Sequence, residues 1–575
     1  MDKNLIIAIL LSTLVIIAFT SPQYQKRFGK NVPLKQAVEY PVSENNRVTA
    51  PPPPTTAPMQ EEKKLPVITV SEKAIADTIS SFAQVNRPDR EDLVTIENED
   101  IILDISTIGG ALVHATMKKY DGPTTDERAQ LILEGQKWCD GHVVEGDVAV
   151  AFSDLNFAVE ERSKDSVTLV ADLASNRRIT RVYSLDPEGY MTHTKTTLDG
   201  DWQNPELYYE WNGSLNDTEA PTKMLRIFPF SLFMRDDSTI YLKIAYLGQG
   251  DRTYTDRKGK RSEKRIYTNE GSQKVDTKKD KSTQDNFKGD LNWYAIRSKY
   301  FMTAAIPHDT KRWRASSNAQ MVTYNDQDRK WFSFTIMKSL SAGDNALDIY
   351  TGPISYDLLK HYNSNLTEVM ELSWRYIRPI SIAFLWLIKK IQIVVPNWGL
   401  VIIVFSIFIK VILYPLSRTS LKSMHKMSNL QPQINEIREK HKNNQQKQHL
   451  AIMELYKREG VNPFGGCLPL IIQMPVFFAL YPVVGRAFEL RKALFIPHWI
   501  DDLSRPDPFY ILPVAMGISM FFQSKATMKD PNQKAMLYVM PFMMVILFSN
   551  FSAGLTLYWF MFNILTSIQQ KMVKV

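Results

Sequence analysis

The chain has 575 residues, with 69 Lys+Arg against 61 Asp+Glu for a net charge of +8, and 44% hydrophobic residues; at about 150 residues per domain it holds several units. A mean hydropathy of −0.23 with 23% charged residues excludes collagen, a wholly disordered chain and a protein that spans a membrane throughout. The two cysteines, Cys139 and Cys467, are too distant in sequence for a disulfide framework or a Cys-x-x-Cys metal knuckle. The small, dispersed basic excess argues against nucleic-acid specificity.

Met1-Asp2-Lys3-Asn4 precedes an apolar run from Leu5 to Phe19 that meets Pro22 without a small-x-small cleavage site. Residues 1–21 therefore read as an uncleaved signal-anchor helix, with a cleaved secretory signal as the alternative. Residues 22–75 carry Pro51-Pro52-Pro53-Pro54 and a short charged cluster, which predicts a stiff exported linker. From 76 to 355 short β-type runs alternate with turn residues: Asp100–Ser106 before Gly109-Gly110, Ala111–Met117, Ser166–Val170, Tyr208–Trp211, Ser238–Leu247 and Trp331–Ile336. Many strands without interleaved helices predict a β-sandwich. The mixed-charge stretch 250–290 interrupts them and reads as a solvated, mobile loop.

The last two hundred residues differ. Ile380–Val395 mixes Phe384, Leu385, Ile388 and Ile391 with Lys389 and Lys390, which predicts an amphipathic helix over 376–395 lying in a membrane interface. Apolar stretches follow at Trp398–Leu416, Cys467–Val484, Phe509–Phe522 and Ala535–Ile568. The 36 residues between Lys534 and Lys571 would make one helix of about 54 Å, too long for a hydrocarbon core of about 30 Å. A hairpin turning at Asn550–Gly554 fits, with each arm short enough to require tilt or local thinning. Segment 417–460 has nine Lys/Arg against four acids, so it reads as cytoplasmic. With the anchor this predicts six spans, both termini inside, and residues 22–375 outside.

Lys410 stands twelve residues after Trp398 and eight before Arg418, about 18 Å and 12 Å from the two interfaces. A charge at that depth costs roughly 2.5–3.5 kcal/mol, so it faces protein or water, or snorkels to the inner headgroups. The later apolar stretches contain no Asp or Glu to pair with it. Ser406, Gln473, Gln523, Tyr558, Trp559, Asn563 and Ser567 supply further polar or interfacial groups in the same segments. Each alone reads more readily as an interhelical hydrogen bond; Trp559, Asn563 and Ser567, four apart, share one helical face, and with Lys410 they predict a half-polar groove. In 417–460 two helices turn at Lys442–Gln445, and Leu421, Met424, Met427, Leu430, Ile434 and Ile437 form an apolar stripe, either for mutual packing or for a partner.

No His-Glu-x-x-His, Gly-x-Ser-x-Gly elbow or phosphate-cradling loop occurs, and His114, His142, His193, His308 and His361 are scattered in sequence, each reading as a surface or sheet histidine. The expectation is no enzyme, no cofactor and no metal. In place of these templates, Asn397-Trp398-Gly399, the span ending Lys410-Val411-Ile412-Leu413-Tyr414-Pro415-Leu416, Leu430-Gln431-Pro432, the run Val461–Pro475 and Phe551–Trp559 together resemble the YidC/Oxa-type membrane protein insertases, in the Gram-negative form with a large periplasmic domain. Gly109-Gly110 and Tyr300–Pro307 are the anchors of that resemblance in the β region.

The resemblance implies a multi-domain membrane protein of the bacterial inner membrane. It would carry a periplasmic β super-sandwich, similar to sugar-binding folds, and an α-helical transmembrane bundle at 397–570 with five spans in its core. The bundle would enclose a hydrophilic groove in which Lys410 draws the polar part of a nascent membrane protein into the bilayer. The family in bacteria usually has Arg there; Lys keeps the charge and loses the bidentate fork. Segment 417–460 would be the cytoplasmic hairpin, serving with the C-terminus for ribosome contact, and a Sec translocon would be the usual companion. Two other readings compete: a solute transporter, disfavoured by the lack of an internal repeat, and a membrane-tethered carbohydrate-active enzyme.

Overall fold

The computed structural model describes residues 83–572 apart from 86, 124–126, 214, 217, 220–240, 257–260, 267–270, 274–279, 312, 325–326, 340–344, 363–365, 371, 375, 462–467 and 528–533. The anchor 1–21, the linker 22–75 and Asn462–Cys467 lie outside the described residues.

Residues 84–353 form antiparallel strands. Their alternation is the source of the fold: Glu206–Asn212 buries Leu207, Tyr209 and Trp211 while the residues between face outward, the period-two signature of a sheet with one packed face. One sheet runs Gln84–Val85, Ser166–Leu173, Arg177–Leu185, Met191–Asp199, Leu347–Pro353, Phe301–Pro307 and the C-terminal end of Asp280–Arg297. The N-terminal part of that last strand pairs instead with Trp313–Tyr324, which leads through Gln327–Ser339 and Glu206–Asn212 to Lys137–Glu145. That second sheet continues through Leu112–Asp121 to Ile101–Ser106 and Leu93–Glu97. The 18-residue strand Asp280–Arg297 thus passes from one sheet to the other. Fully buried Trp138, Trp211, Trp293, Trp313, Tyr183, Tyr209, Tyr294 and Tyr350 fill the space between the sheets. Gly109 and Gly110 turn between two strands at φ +81° and +62°, which a residue with a Cβ adopts only under strain.

The stretch 250–290 corrects the expectation of a loop. Tyr241–Asp256 pairs along its whole length with Asp280–Arg297 and, beyond Gly250, with Arg261–Ile266. In backbone register Asp251 stands opposite Arg265 and Arg252 opposite Asp285. The charged residues between Gly250 and Gly289 carry no apolar alternation in the sequence, so hydropathy could not announce the strands there.

The C-terminal part is helical. After a short helix α1 (Tyr356–His361), helix α2 (Arg378–Val394) buries Ser381, Phe384, Leu385 and Ile388. Helix α3 (Trp398–Ile412) is capped by the Asn397 side chain, which accepts from Leu400 N at 3.1 Å and donates to Phe495 O at 2.9 Å. Any Cβ at Gly399 would meet the Phe495 ring at 1.8 Å, so the Asn-Trp-Gly signature is a cap plus a close approach. Helix α4 (Tyr414–Asn429) turns away from α3 by 65°; Pro415 in its first turn withholds the amide that a continuous helix would need. Pro432 likewise opens α5 (Gln431–Lys440), and α6 (Gln445–Arg458) returns antiparallel, capped by Asn444. Segment 417–460 is therefore three helices instead of two. Its stripe serves packing: Leu430 and Ile434 form a small core with Leu455 and Val461, with Met427, Ile437, Ile452 and Tyr456 against it.

Helices α7 (Leu468–Arg486), α8 (Ile511–Thr527), α9 (Lys534–Phe548) and α10 (Ala553–Met572) complete the chain. The long apolar stretch breaks between Phe548 and Ala553, where the hairpin turn is expected. Among the described residues no single helix is long and apolar enough to cross a membrane; α3 and α4 reach that length and composition only as a pair, bent by 65° at the break between them. The loop between α7 and α8 locks onto the sandwich. Phe488 stacks edge-on against Tyr120 and Phe301, at 4.9 and 5.5 Å. Buried Arg491 pairs with Glu219 at 2.5 Å and donates to Asp121 O at 2.6 Å, and Tyr300 Oη meets Ser504 Oγ at 2.6 Å.

Candidate functional site

The helical part is arranged with apolar side chains outward and polar ones inward. On α3, Leu400, Val404, Ile407, Phe408, Val411 and Ile412 are exposed, whereas Ser406 and Lys410 are buried. Helices α8 and α9 likewise expose Ile518, Phe522, Tyr538, Val539, Phe542 and Met543. In water such a surface would be costly, at about 25 cal/mol per Å² of apolar area; in hydrocarbon it is matched to its solvent.

Lys410 is 7% exposed. Its Nζ donates to Thr566 Oγ1 at 2.7 Å and lies 4.3 Å from the centre of the Phe562 ring, a cation–π geometry. No Asp or Glu occurs anywhere on α3, α4, α7, α8, α9 or α10. A lysine ammonium has three N–H donors, and Thr566 takes one of them.

Helix α10 is the spine of the polar strip. Tyr558, Phe562 and Thr566 follow at intervals of four and so lie on one face, and Gln569 comes one turn later. Gln473 on α7 donates from Nε2 to Tyr558 Oη at 2.9 Å, and Asn563 donates to Ser519 Oγ on α8 at 3.2 Å. The Ser406 hydroxyl donates to its own helix, at Ile402 O, 2.7 Å away. Trp559 belongs to an aromatic group with Phe477 and Phe548, at ring separations of 5.5 and 5.3 Å. Gln523 sits half-buried on α8. Of the residues named from sequence, Lys410, Gln473, Tyr558 and Asn563 therefore form separate hydrogen-bonded pairs along α10 instead of one cluster. Three members escaped the sequence reading: Thr566, Phe562 and Gln569, whose buried amide has neither atom hydrogen-bonded among the described residues. Their four- and three-residue spacing from Tyr558 was the available signal.

Residues 390–575 match the family model described as 60Kd inner membrane protein, and residues 93–387 match the YidC periplasmic domain. The Membrane protein insertase YidC of Chlorobaculum tepidum is 31% identical, covering 88% of this chain and 85% of its own length. That of Coxiella burnetii is 27% identical over 99% of this chain and 95% of its own. A crystal structure of an active YidC insertase with its first transmembrane domain resolved covers 87% of this chain and 96% of its own at 16% identity and a TM-score of 0.35. A galactose mutarotase related enzyme from Lactobacillus acidophilus covers 45% of this chain, with a TM-score of 0.30 and 13% identity. On the two family models and the nearly full-length relatives, the chain belongs to the YidC family of membrane protein insertases.

Proposed function

We propose that this chain inserts membrane proteins by charge capture. Lys410 draws the hydrophilic, often acidic part of a client into the strip along α10, and the client's own helix then passes to lipid. The observation that carries the reading is the placement of Lys410: an inward cation held by one hydroxyl and one aromatic face, with no carboxylate on the surrounding helices and an apolar exterior around it. Gln569, one turn beyond Thr566 on α10 and with unspent hydrogen-bonding capacity, offers a second polar contact.

The chemistry needs no nucleotide. Burial of a client helix at about 25 cal/mol per Å² is the driving term. The cost to be lowered is the passage of its polar flank through a core of about 30 Å. Helices of 15 to 20 residues on α3, α7, α8, α9 and α10 are about 22–30 Å long, so a bilayer around them thins and that path shortens. In this reading six segments span the inner membrane, 22–375 is periplasmic, both termini are cytoplasmic, and the basic 417–460 segment with the C-terminus meets the ribosome, alone or beside a Sec translocon.

The test is complementation in cells depleted of their own insertase, scored on a client with an acidic translocated tail. Lys410→Arg is expected to sustain insertion, Lys410→Ala to reduce it, and Lys410→Glu to abolish it. Full rescue by Lys410→Glu would sink charge capture.

A further inference from the structure

Two of the five histidines scattered along the β-sandwich sequence converge on one carboxylate. His193 lies on strand Met191–Asp199 directly opposite Asp348 of Leu347–Pro353. His308 follows strand Phe301–Pro307, which pairs with the other edge of the same central strand through Ile306 opposite Asp348. Three adjacent strands thus present His193, Asp348 and His308 side by side. His193 Nδ1 and His308 Nε2 each lie 2.6 Å from the same Asp348 Oδ1. The two rings are 6.5 Å apart at an interplanar angle of 75°, so both nitrogen edges face that oxygen. All three donor atoms lie within 4.8 Å of one another.

We infer that His193, His308 and Asp348 form a three-ligand site for a divalent transition metal of the zinc type, with Asp186 as its orienting carboxylate. The donor set decides the class of ion: two imidazoles and one carboxylate suit Zn²⁺ and its neighbours, whereas Mg²⁺ and Ca²⁺ take oxygen ligands. Asp186 Oδ1 stands 2.8 Å from His193 Nε2. A carboxylate there accepts the Nε2 proton and leaves the Nδ1 lone pair for the metal, the support that metal-bound histidines characteristically have. Bonds of about 2.0–2.1 Å at tetrahedral angles require donors about 3.3 Å apart. The present 2.6 Å separations need only a small outward turn of side chains that are 44%, 44% and 22% exposed. The ion takes the place now held by hydrogen-bonded protons, so binding releases protons. The fourth position faces solvent and takes water. The site ties together three neighbouring strands of the exported domain and is independent of Lys410.

The experiment uses the full-length protein in detergent, stripped with a chelator and then dialysed against Zn²⁺, with Co²⁺ as a spectroscopic probe. One equivalent of Zn²⁺ retained per chain is expected, together with a visible Co²⁺ spectrum of tetrahedral intensity and a rise in the unfolding temperature of the β domain. His308→Ala and Asp348→Asn are expected to lose that equivalent. Asp186→Asn is expected to weaken binding about 10–100-fold while leaving the stoichiometry, a readout that a merely structural hydrogen bond would not produce. His114→Ala, distant in the fold, is the control and keeps the metal. No retained zinc in the wild type, or unchanged retention in a folded His308→Ala variant, would overturn the site and leave the four residues as a hydrogen-bond network.

Discussion

The sandwich and the helical module each bury a basic side chain, and they treat it differently. In the sandwich, Arg181 is fully buried between the sheets. It donates to the carbonyls of Gly109 and Cys139, the latter at 2.5 Å, and lies over the Phe152 ring at 4.8 Å. The fork is engaged by backbone that cannot move without opening the Gly109-Gly110 turn. In the helical module, Lys410 has a single hydroxyl and a single ring. One cation is built into the fold as a cross-tie between two backbone carbonyls; the other meets one hydroxyl and one ring on a single helix. Buried charge in the first case ties two backbone segments together, and in the second it meets one side chain and one ring.

The comparison breaks most visibly at Arg181. Arg181→Met removes the donor from two buried carbonyls, and the expected loss of stability is about 3–5 kcal/mol, measured by urea unfolding of the whole protein through a probe in the β domain. A loss under about 1 kcal/mol would mean that Arg181 is not a cross-tie. At Lys410 the expectation is the reverse. In Lys410→Met, Thr566 keeps its bond to Phe562 O at 2.7 Å, so stability in detergent changes by less than about 1 kcal/mol while insertion of the acidic client falls. Equal stability losses at the two sites would erase the distinction.

The boundary between the two regions supplies the smallest effect. Glu489, in the loop after α7, is raised above the 4.5 of an ordinary glutamate by burial, against the opposing pull of the Lys389 ammonium and the Ser355 hydroxyl. The docked state therefore favours the protonated carboxyl. That contribution is full below pH 4.5 and is lost as pH rises through the folded-state value. Glu489→Gln is expected to flatten the decline in unfolding temperature as pH rises above 4.5; an unchanged slope would remove Glu489 as its source.

Much of this was legible in the residues. Each of the six β-type runs coincides with a strand over its described residues to within one residue. The break near Asn550–Gly554 followed from the excess length, the basic flanks and the turn residues there, and the inward setting of Lys410 from the cost of a charge in hydrocarbon. The strands across 250–290 were not legible, since that stretch is charged and lacks apolar alternation, whereas their pairing is a matter of backbone register. Nor was the convergence of His193 and His308: 115 residues separate them in the chain, and only the pairing of both flanking strands with Leu347–Pro353 brings them to Asp348.

The sequence by itself determined the family and the sandwich and helical classes, because these rest on local periodicity and motif spacing. The tertiary structure alone decided what each buried polar group meets: Thr566 and Phe562 for Lys410, two carbonyls for Arg181, one shared carboxylate for two histidines. Partners of that kind depend on crossing elements and strand order, in which residues distant along the chain become neighbours within hydrogen-bonding reach.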